Sequence, residues 1–302
     1  MRALVRQARR YAAVDATVLV TGETGVGKDA LARFIHASGA RRREPFVTID
    51  CPALTETLVE AELFGHERGA FTDATAARPG RFEMAGRGTI YLDAVTGLSP
   101  SAQGALLRVV EERRVTRLGG TVATDVRGRL IASADAGIED AVRDGSFRAE
   151  LFHRLHVLPM HIPPLRERTD EILALARVFL QAIASDLQHP APDLAPDAED
   201  ALLRYRWPGN VRELRHVLER VLVGGVGVDG VITAADLPLE LLERDEAYLA
   251  PAAAARPTLE DVERRYIELT LHFAKGNQTK AAAILGISRK ALWEKRKRYG
   301  LP

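Results

Sequence analysis

A short β-rich run, Thr17-Val18-Leu19-Val20, leads into Gly22-Glu23-Thr24-Gly25-Val26-Gly27-Lys28, after which Ala30, Leu31, Phe34 and Ile35 recur at helical spacing. No other stretch narrows the fold as far. Glycines let the backbone curl until its N–H groups face phosphate oxygens, and the helix that follows presents its N-terminus to the anion. Lys28 is then placed to reach β- and γ-phosphates. A glycine turn alone would say little. Between a strand and an amphipathic helix it predicts a nucleotide cradle made by Gly22, Glu23, Thr24, Gly25, Val26, Gly27, Lys28 and Asp29. Asp29 stands where a simple phosphate loop carries Ser or Thr to hold magnesium.

Further apolar runs, Phe46–Ile49, Thr89–Leu92 and Arg129–Ala132, are separated by segments long enough for helices. Strands alternating with helices predict a parallel α/β sheet. The run Thr89–Leu92 ends in Asp93, the candidate acid for organising Mg2+. After Ile162-Pro163-Pro164 the pattern becomes helical, with Ile172, Leu173, Leu175, Ala176 and Phe179 on one face. A proline-rich break at His189–Pro196 interrupts it, helices resume over Val211–Val223, and Glu243–Pro257 reads as a linker.

Composition excludes several classes. Of 302 residues, 46% are hydrophobic and 27% charged, the balance of a globular chain rather than a disordered one. No apolar run approaches the ~18 residues of a membrane span, and the residues after Met1 lack an apolar signal core, so the expectation is a cytoplasmic protein with no membrane partner. Cys51 is the single cysteine, which excludes an internal disulfide, and the eight histidines show no paired metal-ligand spacing. The net charge of +1 is unevenly spread: from Lys275 to Pro302 eight basic residues face one acid, a surplus of seven, leaving about −6 on residues 1–274. Such a basic end suits a polyanion partner.

The same end reads as three helices. Thr258 and Asp261 have capping-box spacing ahead of a helix with Leu259, Val262, Tyr266 and Phe273 on one side. Gln278–Leu285 is a second helix, Gly286-Ile287 a turn, and Ser288 the N-cap of a third, with Ala291 and Leu292 toward the core and Trp293 placed either to stack or to pack, the core being the favoured reading. A helix, a glycine turn and a basic helix make a helix-turn-helix whose last helix enters the major groove of double-stranded DNA. Ser288, Arg289, Lys290, Lys295 and Arg296 are its candidate DNA contacts.

Glu62-Leu63-Phe64-Gly65-His66-Glu67-Arg68-Gly69-Ala70-Phe71-Thr72-Asp73-Ala74 is more specific still. It resembles the GAFTGA-bearing region in the central AAA+ domain of sigma-54-dependent bacterial transcription activators. The resemblance extends through Gly22–Asp29, Phe147-Arg148 to Arg154-Leu155, Pro163–Arg168 and Trp207-Pro208-Gly209-Asn210-Val211-Arg212-Glu213-Leu214. It covers nearly the whole chain. It implies an α/β AAA+ sheet at 1–168, a helical lid at 169–243, a linker at 244–257 and a small all-α Fis-type domain at 258–302. It further implies a homo-oligomeric ring, usually a hexamer, that uses ATP and Mg2+ to remodel sigma-54 RNA polymerase holoenzyme from an upstream DNA site. Arg148 and Arg154 match the arginine fingers, which enter a neighbouring subunit's site, and Arg212 matches the lid's sensor arginine. Gly69, Ala70, Phe71, Thr72, Asp73 and Ala74 match the loop that touches sigma-54. Trp207–Leu214 reads equally as a capped helix with Trp207 in the core, and the two readings are compatible.

Three departures from the resemblance matter. Ala94 follows Asp93 where the family carries a water-polarising Glu, and losing a general base typically costs about 10²–10⁴ in rate. The expectation is a chain that binds ATP and hydrolyses it poorly unless another carboxylate substitutes; Asp50, beyond Phe46–Ile49, is the candidate. Asp73 replaces a loop glycine, and Ser133-Ala134-Asp135 replaces a common Ala-Thr-Asn. The leading expectation is an ATP-driven sigma-54 activator, with a DNA-bound, nucleotide-binding regulator that does not hydrolyse as the alternative. An unrelated AAA+ machine is disfavoured by the Gly69–Thr72 sequence. The chain begins almost at the AAA+ domain, which leaves room for regulation by a separate protein or for a truncated product.

Overall fold

Five short strands carry the architecture: β1 (Val18–Thr21), β2 (Phe46–Asp50), β3 (Thr89–Asp93), β4 (Arg129–Ala134) and β5 (Leu158–His161). In this computed structural model, which describes residues 1–54, 59–71, 74–225, 230–242, 263, 264, 266, 267, 270, 271 and 278–300, they pair in parallel in the order β2-β3-β4-β1-β5. Four of them coincide with the apolar runs. The fifth is not visible in the sequence pattern because Pro159 interrupts a short run; proline is admissible there since β5 is an edge strand paired with β1 alone.

Alternate residues of the strands feed two cores. Val18, Val20, Tyr91, Ile131 and Met160 pack with α1 (Arg2–Ala12) and α2 (Lys28–Ser38), whereas Leu19, Ile90, Leu92, Leu130 and Ala132 pack with α3 (Pro100–Glu112) and α4 (Ala149–Leu155). β4 is buried along its whole length, as an inner strand covered on both faces must be. Pro100 opens α3 while the Ser99 hydroxyl accepts from the Ala102 N–H at 3.3 Å, a sequence-encoded start. Buried Arg129 donates to the carbonyls of Tyr11 at 2.7 Å and Ala16 at 3.2 Å, fastening the end of α1 to the sheet. Cys51, just past β2, is 1% exposed and its N–H donates to the Asp93 carbonyl at 3.0 Å.

Beyond the sheet, α5 (Ile172–Asp186), α6 (Pro196–Arg204) and α7 (Asn210–Val223) close over Leu165, Ile172, Leu180, Trp207, Leu214 and Leu218. The buried face of α5 is Ile172, Ala176, Leu180, Ile183 and Ala184; Leu173, Leu175 and Phe179 only flank it. In the proline-rich break, Asp193–Leu194 pairs with Val231–Ile232 and Pro196 becomes the first residue of α6. Trp207 is fully buried, with its indole N–H donating to the Leu202 carbonyl at 2.9 Å.

Met1–Leu242 and Glu243–Pro302 form separate compact units. In the second, α8 (Gln278–Ile284) and α9 (Arg289–Tyr299) gather Ile267, Leu271, Ala281, Ala282 and Leu292 into a small core. Gly286 turns between the helices with φ 65°, and the Ser288 hydroxyl caps α9 by accepting from the Ala291 N–H at 3.1 Å. Two expectations are corrected. Trp293 is 55% exposed, with the Lys297 ammonium 5.4 Å from its ring centroid, because Leu292 already fills the core-facing position of that turn. Tyr266 is likewise exposed; among the described residues around it, Ile267, Thr270 and Leu271 are the buried ones. Thr258, Leu259, Asp261, Val262, Phe273 and the 244–257 linker lie outside the described residues.

Candidate functional site: a phosphate cradle with its lid

The turn from β1 to α2 needs its glycines. A side chain at Gly25, φ 80°, would collide with the Gly209 carbonyl, and one at Gly22 would sit 2.7 Å from the Ile162 carbonyl. Lys28 opens α2, its side chain 10% exposed, and its ammonium donates to the Gly22 carbonyl at 2.6 Å and to Asp135 Oδ1 at 2.9 Å. A glycine turn, a helix start and a largely buried ammonium come together as a polyphosphate requires, so the residues fit a nucleotide.

Glu23 has a different task from its neighbours. Its carboxylate takes two hydrogen bonds from Arg166, at 2.6 and 2.9 Å, and one from Asn210 Nδ2 at 3.1 Å. The bonds from Arg166 and then Asn210 hold its carboxyl down to about 2 from 4.5. Asn210 also donates to the Thr24 carbonyl at 3.0 Å and accepts from the Leu165 N–H at 2.8 Å. Arg168 reaches the Val26 carbonyl at 2.9 Å, and the Arg212 N–H meets the Gly25 carbonyl at 3.3 Å. The cradle is therefore clasped to the lid. The sequence motifs contain Arg166, Arg168 and Asn210 without giving them a role; Asn210, fully buried with φ 54°, carries one faint signal, the tolerance of Asn for a left-handed backbone at a helix start. The Arg212 side chain is exposed and borders a cavity of about 340 Å3 with Thr24, Tyr205, Gly209, Glu213 and His216.

At the strand ends, Asp93 Oδ1 accepts from Ser133 Oγ at 2.6 Å and from the Tyr91 hydroxyl at 2.9 Å. Ser133 Oγ also accepts from the Ala94 N–H at 2.8 Å, and Ala94 has φ 53°. Asp50 is exposed and lies in register with Asp93 on the neighbouring strand. Asp29 is exposed and paired with Arg33 at 3.0 Å. Among the described residues no three His, Cys, Asp or Glu gather to hold a metal. Magnesium at a nucleotide needs less, one or two carboxylates together with phosphates and water, and Asp93 suits that demand.

The two matched arginines lie near α3. The Arg148 N–H donates to Gln103 Oε1 at 2.8 Å, and Arg154 pairs with Glu111 at 3.1 Å; both side chains are exposed. Gly69, Ala70, Phe71 and Ala74 share one loop, closed by the Gly69 N–H to the Ala74 carbonyl at 2.8 Å. Phe71 is 37% exposed, its ring edge-on to His66 with centroids 4.9 Å apart. This loop is tied to a hairpin of Arg114–Thr116 and Ala123–Asp125: Glu67 N–H reaches the Leu118 carbonyl at 3.0 Å, while Arg117 grips Glu83 at 2.7 Å and Glu67 at 3.2 Å. Thr72 and Asp73 fall outside the described residues. On α9, Arg289 and Lys290 are exposed, Arg296 is half-buried, and Lys295 is engaged by Glu263 within its own unit.

The comparisons agree along the whole length. Residues 1–161 match the sigma-54 interaction domain, 166–253 the AAA+ ATPase lid domain, and 258–299 the bacterial regulatory protein Fis family. Among similar proteins, transcriptional regulatory protein ZraR of Klebsiella oxytoca is 43% identical over 98% of this chain and 66% of its own length, and regulatory protein AtoC of Escherichia coli K12 is 39% identical over 100% and 66%. A crystal structure of NtrX from Brucella abortus in complex with ATP is 33% identical over 100% of this chain and 68% of that one, with a TM-score of 0.73. The chain belongs to the sigma-54 interaction domain family of transcriptional regulators, with the AAA+ fold, lid and Fis-type helix-turn-helix. It spans 66% of the length of ZraR and of AtoC. Among the described residues, no helix is long and apolar enough to cross a membrane.

Proposed function

We propose that this chain binds double-stranded DNA through α9 and couples ATP binding and hydrolysis to remodelling of sigma-54 RNA polymerase, acting as a homo-oligomeric ring. The observation that carries the reading is the Lys28 cradle clasped to its lid in the same unit that exposes Phe71 on a braced loop. Residues 1–168 hold the nucleotide, 169–243 form the lid, and 258–302 read DNA. Lys28 holds the β- and γ-phosphates, Asp93 organises Mg2+, and Arg212 faces the nucleotide from the lid. The bound nucleotide supplies the phosphoryl group whose transfer to water drives the cycle. Arg148 and Arg154, exposed on the α3–α4 side, serve the neighbouring subunit's site, where a cation stabilises charge developing on the transferred group. Gly69, Ala70, Phe71 and Ala74, with Thr72 and Asp73, make the sigma-54 contact; an exposed aromatic ring suits a partner surface.

Ala94 favours a second reading, a DNA-bound regulator that holds nucleotide without turnover, because a methyl group cannot orient water. Asp50, in register with Asp93, is the carboxylate that would rescue hydrolysis. Steady-state ATP hydrolysis with Mg2+, measured across protein concentration against Lys28→Ala, separates the two. Turnover above that blank, rising with concentration, is expected of a working ring. Bound ATP with no turnover puts the regulator without hydrolysis first.

A further inference from the structure

We propose that Asp135 makes the cradle discriminate against a third phosphate, so that the site takes a nucleoside diphosphate in preference to a triphosphate. The inference deepens the nucleotide-binding reading and rests on it. The ammonium of Lys28, the cation that a triphosphate's terminal groups require, already has an anionic partner 2.9 Å away in Asp135 Oδ1. The backbone of that partner is firmly placed, while its carboxylate is 56% exposed. Asp135 follows the fully buried strand β4, two residues beyond Ser133, which is itself pinned by its bonds to Asp93 and to the Ala94 N–H. Its carbonyl accepts from the Ile138 N–H at 3.3 Å as the chain turns into the helix Ile138–Arg143.

The consequence is electrostatic. A carboxylate on the Lys28 ammonium lies within a few ångströms of the group next to that ammonium, and like charges at such distances repel; the Lys28 side chain is 10% exposed and that of Asp135 56%, so solvent weakens the repulsion without removing it. A diphosphate brings only its β-phosphate to the Lys28 ammonium, which can be shared with Asp135. A triphosphate brings one further anionic group to the same ammonium and must displace Asp135 or sit beside it. Asp135 thus acts as a specificity-determining side chain through charge, without needing to touch the base or the sugar.

The test uses the full chain and fluorescence titration with mant-ADP and with the non-hydrolysable mant-adenylyl-imidodiphosphate, both with Mg2+, for wild type, Asp135→Asn, Asp135→Ala, Asp135→Glu and Lys28→Ala, with circular dichroism confirming equal folding. Wild type is expected to hold the diphosphate more tightly. Asp135→Asn and Asp135→Ala are each expected to tighten the triphosphate analogue about tenfold or more while moving the diphosphate far less; Asp135→Glu, which keeps the charge, is expected to retain the wild-type preference. A ratio of the two affinities unmoved in Asp135→Asn and Asp135→Ala overturns the inference and leaves nucleotide binding standing. Triphosphate binding weakened in both overturns it as well, by making Asp135 a ligand rather than a competitor. Binding of neither nucleotide by any folded variant overturns the nucleotide reading and this inference together.

Discussion

Asp93 and Ala94 are neighbours at one strand end with opposite chemical capacity. Asp93 is oriented by two hydroxyls, whereas Ala94 offers only a backbone N–H, used by Ser133. Ala94 already has φ 53°, so a longer side chain there adds no Cβ to a conformation that tolerates one. Ala94→Glu is therefore expected to raise the rate of ATP hydrolysis at saturating substrate by about 10²–10⁴, the usual contribution of a positioned general base, with little change in KM. A turnover assay on the purified variant checks it, and an unchanged rate would mean that a carboxylate elsewhere already does the work. The motif residues are legible because spacing fixes their backbone: Lys28 opens α2 and Asp93 ends β3 as their positions in the sequence imply. Glu23 is legible as part of the cradle but not in its job, since Arg166 and Asn210 lie more than 140 residues away. The Lys28–Asp135 pair, 107 residues apart, is hidden for the same reason.

Between elements, the clasp joining the β1–α2 turn to α7 and the Pro164–Arg168 segment is polar and pH-sensitive. Glu23 is held at about 2 in the fold and returns to 4.5 when the chain unfolds. Its carboxylate therefore contributes fully above about pH 4.5, and the contribution is lost as pH falls from 4.5 through about 2. Arg166 and Glu23 both remain partly exposed, 41% and 35%, so solvent screening limits the pair to about 1 kcal/mol or less. Urea unfolding between pH 5 and pH 2.5 is expected to lose most of that amount in wild type relative to Glu23→Gln, whose pH dependence lacks this component; parallel curves for the two would show that the clasp adds nothing. Strand alternation and the helical stripe of α2 are visible in sequence, yet β5 is not, and the buried side of α5 is displaced toward Leu180 and Ile183. Short elements leave too few periods for one proline or one extra leucine to be outvoted.

At the scale of the molecule, two units with separate cores should fail separately. The described core of the second is five side chains, Ile267, Leu271, Ala281, Ala282 and Leu292. Leu292→Ala is expected to cost about 2–5 kcal/mol, on the order of the whole stability of so small a domain. The variant is expected to lose retention on immobilised duplex DNA at low salt while its fluorescence titration with mant-ADP stays at the wild-type value; loss of both would tie the nucleotide site to the second unit. Charge makes this division legible in the amino-acid sequence, because eight of the basic residues cluster from Lys275 onward. Which of them are free to meet a phosphate backbone depends on packing that no linear pattern encodes: Lys295 is taken by Glu263, while Arg289 and Lys290 stay exposed.

The place of Cys51 gives the chain a property that belongs to experiment rather than to catalysis. Burial first, and then the carboxylates of Asp93 and Asp50, push its thiol upward, so the closed fold presents no reactive thiolate. Because the chain contains no second cysteine, any thiol reagent consumed by it times one event, the loosening of the chain where β2 ends. A colourless side chain beside the strand-end acids is thus a stopwatch for local opening, available without engineering a single residue.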